Sequence, residues 1–257
     1  MSPSVWSPDQ YLRFCTERSQ PFFDLLALIE PRRGMRMVDL GCGTGELTQQ
    51  LHLKLEAKET LGVDNSATML ERSRAFAGSG LRFQLGDLAQ FRSDHDYDVI
   101  FSNAALQWVP YHASVLTNLT ESLTDVGQIA IQMPENSDHP SHAIAGEIAR
   151  EEPFLSLLGG FSAREALLAP EAYALLLHHL GYQRQNVHVR IYVHVLESTE
   201  SVIEWTKGTL LTDYQKRLSA ASYDAFLDRY RDRLLARLGD HRPYPYTFKR
   251  VLMWATR

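Results

Sequence analysis

Short apolar runs alternate, along the first half of the chain, with stretches whose apolar residues recur every three or four positions. The runs at 35–40, 60–63, 81–85, 97–102 and 128–133 have the length and continuity of buried strands. Between them, residues 9–30, 46–55, 67–76 and 111–123 carry helical spacing. In the first of these, Asp9 is placed to cap, and Tyr11, Phe14, Cys15 and Arg18 fall on one face. Strand alternating with helix predicts parallel strands joined by right-handed crossovers, with ligands at the C-terminal ends of the strands.

After Met133 the rhythm changes. PENSDHPSH reads as a loop by composition, and 143–151 and 170–179 as helices. Residues 187–196 alternate cleanly. Val187, Val189, Ile191, Val193 and Val195 share one face, and His188, Arg190, Tyr192 and His194 the other, which predicts a strand with one polar face. Residues 198–238 are again helical, and 247–255 close the chain as a strand. The expected organisation is one domain over 1–257, with mostly helical insertions at about 137–168 and 198–240 forming a lid.

The sharpest local signal is VDLGCGTG at 38–45, where a strand stops in three glycines at alternate positions and a helix follows. Such a turn lets a ligand touch the backbone. A nucleoside-triphosphate loop needs a lysine after its last glycine, and the dinucleotide fingerprint would need a third glycine at position 46. That position is Glu46. Asp39 and Glu46 also bring negative charge to where a pyrophosphate would sit. A ligand with a positive end and no phosphate fits better, and S-adenosylmethionine has an ammonium, a sulfonium and no phosphate. Asp64 ends the second strand in LGVD and is placed to accept both ribose hydroxyls. Asp87, in LGDL, is placed to accept from the adenine amino group, with the Leu88 N–H reaching a ring nitrogen.

VDLGCGTG, VDNSATML and LGDL resemble the first three motifs of the class I S-adenosylmethionine-dependent methyltransferases, over about the first half of the chain. The resemblance implies a Rossmann-like α/β fold: a seven-stranded sheet, its last strand antiparallel, with helices on both faces. It also implies S-adenosylmethionine as cofactor, leaving as S-adenosylhomocysteine. Gly41, Cys42, Gly43, Asn65, Met69 and Asn103 then join the three aspartates around it. A narrower resemblance covers nearly the whole chain. WSPDQYLRFCTERSQPFFDLL, FSNAALQWVP, IQMPENSDHPSH and PYPYTFKRVLMWATR are similar to the trans-aconitate methyltransferases, which methylate one carboxylate of a small tricarboxylic acid. The malonyl-carrier-protein methyltransferases share SN-x-x-x-QW but match less well at MPEN and the first helix. A carrier-bound acyl carboxylate, or another oxygen or nitrogen of a metabolite, is therefore the alternative acceptor.

The fourth strand ends in SNAALQW, with Ala104 and Ala105 where enzymes that methylate base or glutamine nitrogens typically carry Pro-Pro-aromatic. A carboxylate acceptor is already ionised at pH 7 and needs orientation and desolvation rather than a general base. The amide N–H of Gln107 and the indole N–H of Trp108 are neutral donors suited to that, and they are the expected catalytic pair. No metal is required. Tyr11 and Arg18 are assigned to the cofactor side, and Phe14, His142, Trp205 and Arg250 to the substrate side. A tricarboxylate also needs cations for the groups that do not react. Arg18, Arg190, Lys207, Lys249 and Arg250 are the candidates, Arg250 standing out for its apolar neighbours.

Composition narrows the partners. With 257 residues, 44% of them hydrophobic, the chain can bury one sizeable core, or a core with a smaller cap. A net charge of −5 advertises no nucleic acid, so any attraction for an acid must be local. No window approaches the roughly 20 apolar residues of a membrane span. MSPSVWSPDQYLRF lacks the basic-then-apolar pattern of a secretory signal. With Cys15 and Cys42 alone, no disulfide framework is expected and a reducing cytoplasm fits. The expected partner is a small carboxylic acid, and the expected state a monomer or weak homodimer. A cofactor-binding protein without catalysis is disfavoured by the intact turn, the three acids and the Gln-Trp pair.

Overall fold

The structure is a computed structural model that describes residues 15–162 and 167–257, with the backbone alone for 15–18. The Asp9 cap, Tyr11 and Phe14 lie outside the described residues, as does the Arg18 side chain. The elements run α1 (Cys15–Leu26), β1 (Arg36–Leu40), α2 (Glu46–Lys54), β2 (Glu59–Asp64), α3 (Ala67–Ser73), β3 (Leu81–Leu85), β4 (Tyr97–Asn103), α4 (His112–Glu121) and β5 (Leu123–Pro134). They continue with α5 (Pro140–Ala149), α6 (Phe154–Leu157), α7 (Pro170–His179), β6 (Arg184–Leu196), α8 (Ser201–Lys207), α9 (Leu211–Gln215), α10 (Ala220–Leu238) and β7 (Tyr244–Thr256). The sheet has seven strands in the order β3-β2-β1-β4-β5-β7-β6. The pairs from β3 through β5 are parallel, and β7 is antiparallel to β5. This is the Rossmann-like sheet with a reversed last strand that the motifs imply.

The chain divides into two compact units. A sheet unit comprises Ser19–Glu135, Ala166–Arg190 and Lys249–Arg257, and a helical unit lies chiefly in Asn136–Glu165 and Ile191–Phe248. In the sheet unit the parallel strands are covered on both faces, which is why they read as continuous apolar runs. Val38, Leu40, Ile100, Ile129, Ile131 and Met253 pack on one face with Leu116 and Leu119 of α4 and Tyr173 of α7. Met37, Val99, Phe101, Ala130 and Leu252 pack on the other with Phe22 and Leu25 of α1 and Leu51 of α2. The helical unit has a core of its own, built from Ile144, Ile148, Trp205, Tyr214, Phe226, Tyr230, Tyr246 and Phe248. Two ion pairs tie α10 to residues at and after α5: Arg233 to Glu151 at 2.7 Å and Arg237 to Glu147 at 3.0 Å. No helix among the described residues is long and apolar enough to cross a membrane.

Three expectations need correction. The PENSDHPSH loop ends early, because α5 begins at Pro140 and His139 caps it by accepting from Ser141 N. Proline suits a first helical position, where its missing N–H costs nothing. The helix expected over 111–123 is shorter: Tyr111 has φ +61°, α4 begins at His112, and Leu123 already opens β5. The third correction concerns β6. Over its second half the supposed polar face is the buried one, with Tyr192, His194 and Leu196 at 8%, 5% and 4% exposure, while His188 is half-buried and Arg190 exposed as expected. Ile191, Val193 and Val195 point outward at 58%, 58% and 72%. His194 stacks on Trp205 with ring centroids 4.8 Å apart on the buried face.

That inversion sets a stability test. Val195→Lys is expected to change unfolding free energy by no more than about 0.5 kcal/mol, as for other exposed sites. Leu252→Ala, in the sheet core, is expected to cost about 2–5 kcal/mol. Urea denaturation of both variants measures this, and a large loss from Val195→Lys would overturn the facing of β6.

Candidate functional site

In the sheet unit the glycine turn is built from the backbone outward. Gly41 has φ +86°, and a β-carbon there would stand 2.1 Å from the Ala105 β-carbon, so the turn passes flush against the loop after β4. Gly45, at φ +80°, starts α2, and a β-carbon on it would strike the Phe83 ring at 2.7 Å. A β-carbon on Gly43 would meet nothing within 4 Å among the described residues. The N–H groups of Gly41 and Cys42 both donate to the Val63 carbonyl, at 2.7 and 3.1 Å. Cys42 is buried, and burial, with the nearby Asp39 and Asp64 charges, pushes its thiol pKa up. It is a packing residue rather than a nucleophile.

Asp64 locks this turn. One carboxylate oxygen accepts from Gly43 N at 2.9 Å and the other from Ser66 N at 2.8 Å. Each carboxylate oxygen offers two lone pairs, so acceptor capacity remains for a ligand. Asp39 is buried at 4% exposure, and its Oδ2 accepts from the Thr48 hydroxyl of α2 at 2.6 Å. Burial raises its pKa to about 7, opposed by the Thr48 hydrogen bond and reinforced by the Asp64 charge. The negative charge read from the sequence at this position therefore titrates near neutrality. Asp87 is exposed and accepts from Ala89 N at 2.9 Å, opening the short 3-10 turn that contains Leu88. Asn65 is exposed, and Met69 donates its backbone N–H to Ser66 Oγ at 3.4 Å.

At the ends of β4 and β5 the polar groups change character. Asn103 pairs in register with Gln132. Asn103 Oδ1, Gln107 Oε1 and Gln132 Nε2 are all buried and have no hydrogen-bond partner among the described residues. Ala104 between them is held at φ +54°, unusual for a residue with a side chain. One amide N–H of Gln107 donates to the Ala104 carbonyl at 2.7 Å, which leaves its second N–H and its Oε1 for other partners. Trp108 is 63% exposed, so it is not a core residue. Arg250 is 7% exposed, and its Nη1 donates to Gln132 Oε1 at 3.3 Å. Of the other candidate cations, Arg190 pairs with Asp24 at 3.0 Å, Lys207 with Glu204 at 2.7 Å and Lys249 with Glu135 at 3.7 Å.

The helical unit holds the remaining two assigned residues. Ser141 Oγ is the hub of a buried network, 2.9 Å from His139 Nδ1, 3.0 Å from His142 Nδ1 and 3.0 Å from the Tyr246 hydroxyl. The Tyr230 hydroxyl donates to the Ser141 carbonyl at 2.8 Å. Burial, then the neighbouring His139, lowers the His142 pKa to about 4, so it is neutral at pH 7 and offers hydrogen bonds rather than charge. Trp205 is 2% exposed, and it and His142 both face the Phe248 ring, at 6.2 and 6.0 Å between centroids. Among the described residues no three His, Cys, Asp or Glu side chains stand together as a metal site.

Sequence reasoning missed Gln132 and the Ser141–Tyr246 pair. A glutamine inside IAIQM is a readable signal for a buried polar group at a strand end. Ser141 and Tyr246 are 105 residues apart and leave no local signal.

Comparisons with known proteins place the chain in a family. Residues 31–157 match the family model described as a methyltransferase domain. Proteins named trans-aconitate 2-methyltransferase are similar over most of the chain. The one from Deinococcus radiodurans is 43% identical across 98% of both chains. The Streptomyces coelicolor protein is 37% identical over 98% of this chain and 87% of its own, and that of Mycobacterium tuberculosis 35% over 98% and 96%. Among solved structures, the YcgJ protein of Bacillus subtilis aligns with a TM-score of 0.60 at 17% identity, over 92% of this chain and 97% of that one. Haemonchus contortus phosphoethanolamine N-methyltransferase 2, in complex with S-adenosyl-L-methionine, aligns with a TM-score of 0.57 at 16% identity over 93% of this chain. The chain spans 52% of the length of that protein, and at such identities the likeness bears on the fold. This chain is a methyltransferase and belongs to the trans-aconitate 2-methyltransferase family.

Proposed function

We propose that this chain transfers the methyl group of S-adenosylmethionine to a carboxylate of trans-aconitate, giving a methyl ester. The observation that carries the reading is the 43% identity to the Deinococcus radiodurans trans-aconitate 2-methyltransferase over 98% of both chains. A match of that extent takes in residues 136–165 and 191–248, the part of the chain expected to select the acid, as well as the sheet. The relatives give no support to a carrier-bound acyl acceptor.

The residues present suit the cofactor. When bound, S-adenosylmethionine supplies an electrophilic methyl group on a sulfonium that becomes a neutral thioether. Asp64 fixes the glycine turn with one lone pair of each oxygen and keeps the others for ribose hydroxyls. Asn103 Oδ1 is a buried acceptor with no partner among the described residues, which suits an ammonium donor. Gly43, with open space where a side chain would be, lets a ligand lie on the backbone. Asp39, when ionised, adds negative charge beneath the turn. The acceptor carboxylate is ionised at pH 7, so the chain supplies no general base. Its task is to hold two reactants in line, which is worth about 7–11 kcal/mol in a well-aligned case. Gln107 and Trp108, on the loop after β4, are the side chains assigned to orient the acceptor. Arg250 is the cation assigned to a carboxylate that does not react.

Two experiments test this. Labelled S-adenosylmethionine offered with trans-aconitate is expected to give a base-labile product, and isocitrate or a monocarboxylic fatty acid much less. No product, with cofactor binding intact, would remove trans-aconitate as the acceptor. The second uses the Asp39 titration. A folded-state pKa raised to about 7 favours the protonated form in the free protein. Its contribution to stability is full below the ordinary carboxylate range and lost as pH rises through about 7. A cationic ligand prefers the ionised form, so the advantage of wild type over Asp39→Asn in S-adenosylmethionine affinity is expected to grow from pH 5.5 to 7.5. The ligand's own amino group titrates alike against both proteins and cancels in the ratio. A calorimetric ratio that stays flat with pH would contradict the role of Asp39.

A further inference from the structure

Strand β5 carries two buried glutamines four residues apart, and they are treated oppositely. Gln128 is 2% exposed and fully engaged. Its Oε1 accepts from Glu30 N at 2.9 Å and from the Trp254 indole at 2.8 Å, and its Nε2 donates to the Glu30 carbonyl at 2.8 Å. It is a structural strut. Gln132 is 0% exposed, yet only its carbonyl side is engaged, by Arg250 Nη1 at 3.3 Å.

The amide orientation is dictated by chemistry. A guanidinium has only donors, so the oxygen must face Arg250 and the NH2 must face away. That NH2 is buried and has no partner among the described residues. Gln132 lies in register with Asn103, at the C-terminal end of the parallel strands, where a ligand of this fold binds. Register neighbours share a face of the sheet. Asn103 Oδ1 is an acceptor and suits a cation, whereas the buried Gln132 amide NH2 is a donor and suits an anion.

Resting on the acceptor reading above, we propose that Gln132 is a specificity residue for polycarboxylates. Its side-chain carbonyl positions the Arg250 guanidinium, and its amide N–H groups donate to a substrate carboxylate that is not methylated. Gln132 thereby helps favour acids with two or more carboxylates over acids with one.

The test is calorimetric binding of tricarballylate to enzyme saturated with S-adenosylhomocysteine, in wild type, Gln132→Leu and Gln132→Glu. Gln132→Leu is expected to weaken tricarballylate at least tenfold, with S-adenosylhomocysteine affinity within twofold of wild type. Its melting temperature is expected to be unchanged or raised, because an apolar side chain replaces a buried amide with an unmatched donor. Gln132→Glu preserves size, removes the donor NH2 and sets a carboxylate where the substrate anion would lie. It is expected to weaken tricarballylate about a hundredfold, and it carries the test if the leucine variant does not fold. Tricarballylate bound as tightly by either folded variant as by wild type would overturn the proposal. So would a lowered melting temperature with equal loss of both ligands, which marks a strut like Gln128, or no binding of tricarballylate by wild type. Wild type that binds tricarballylate but does not methylate trans-aconitate would remove trans-aconitate as the acceptor, and the binding ratios would still decide the role of Gln132.

Discussion

Two backbone N–H groups held by one carboxylate organise the cofactor end of this enzyme. Asp64 ties the turn after β1 to the start of the helix after β2 by accepting from Gly43 and Ser66. Gly41 is thereby kept flush against Ala105, and Gly45 against the Phe83 ring, contacts that no β-carbon would permit. The same constraint leaves open space over Gly43. An apolar residue at 64 would leave the Gly43 and Ser66 donors unmatched. An amide would offer one acceptor oxygen where two are used.

From that anchor the chemistry changes sign along the strand order. Asp87, Asp64 and Asp39 stand at or just past β3, β2 and β1. Neutral amides, Asn103 and Gln132, end or nearly end β4 and β5, with Gln107 on the loop after β4, and Arg250 lies in β7. A cationic methyl donor and an anionic acid make opposite demands. On the proposed reading, a chain with a net charge of −5 meets them by separating acids and cation with neutral amides rather than by a general surface charge. Lys249, next to Arg250, faces Glu135 at 3.7 Å. Methyl transfer to a carboxylate cancels a positive and a negative charge, so it gains from a dry middle. On the proposed reading, the buried amide atoms of Asn103, Gln107 and Gln132 line that zone.

How much of this could be read beforehand depended on whether the pattern was local. The five central strands were legible because burial on both faces writes continuous apolar runs, and the glycine turn because VDLGCGTG confines its geometry to eight residues. Strand β6 was legible as a strand but not in its facing. Branched aliphatics report extended backbone, whereas the inner face carries His194, stacked on a Trp205 that lies beyond the strand and leaves no alternating signal. The bond of the Gln107 amide to the Ala104 carbonyl was not legible, because it goes with the left-handed backbone of Ala104, which no side-chain pattern announces. The raised pKa of Asp39 follows from burial and so waits for the fold. The Ser141 hub joins residues from opposite ends of the helical unit's sequence, beyond the reach of periodicity.

The central claim is that the Asp64-locked turn binds a phosphate-free, positively charged nucleoside. Titrating the wild-type chain calorimetrically with S-adenosylmethionine, NAD and ATP tests it most directly. The account predicts saturable binding of S-adenosylmethionine and at least a hundredfold weaker binding of either phosphate-bearing ligand. Tight binding of NAD or ATP, or none of S-adenosylmethionine, would contradict it.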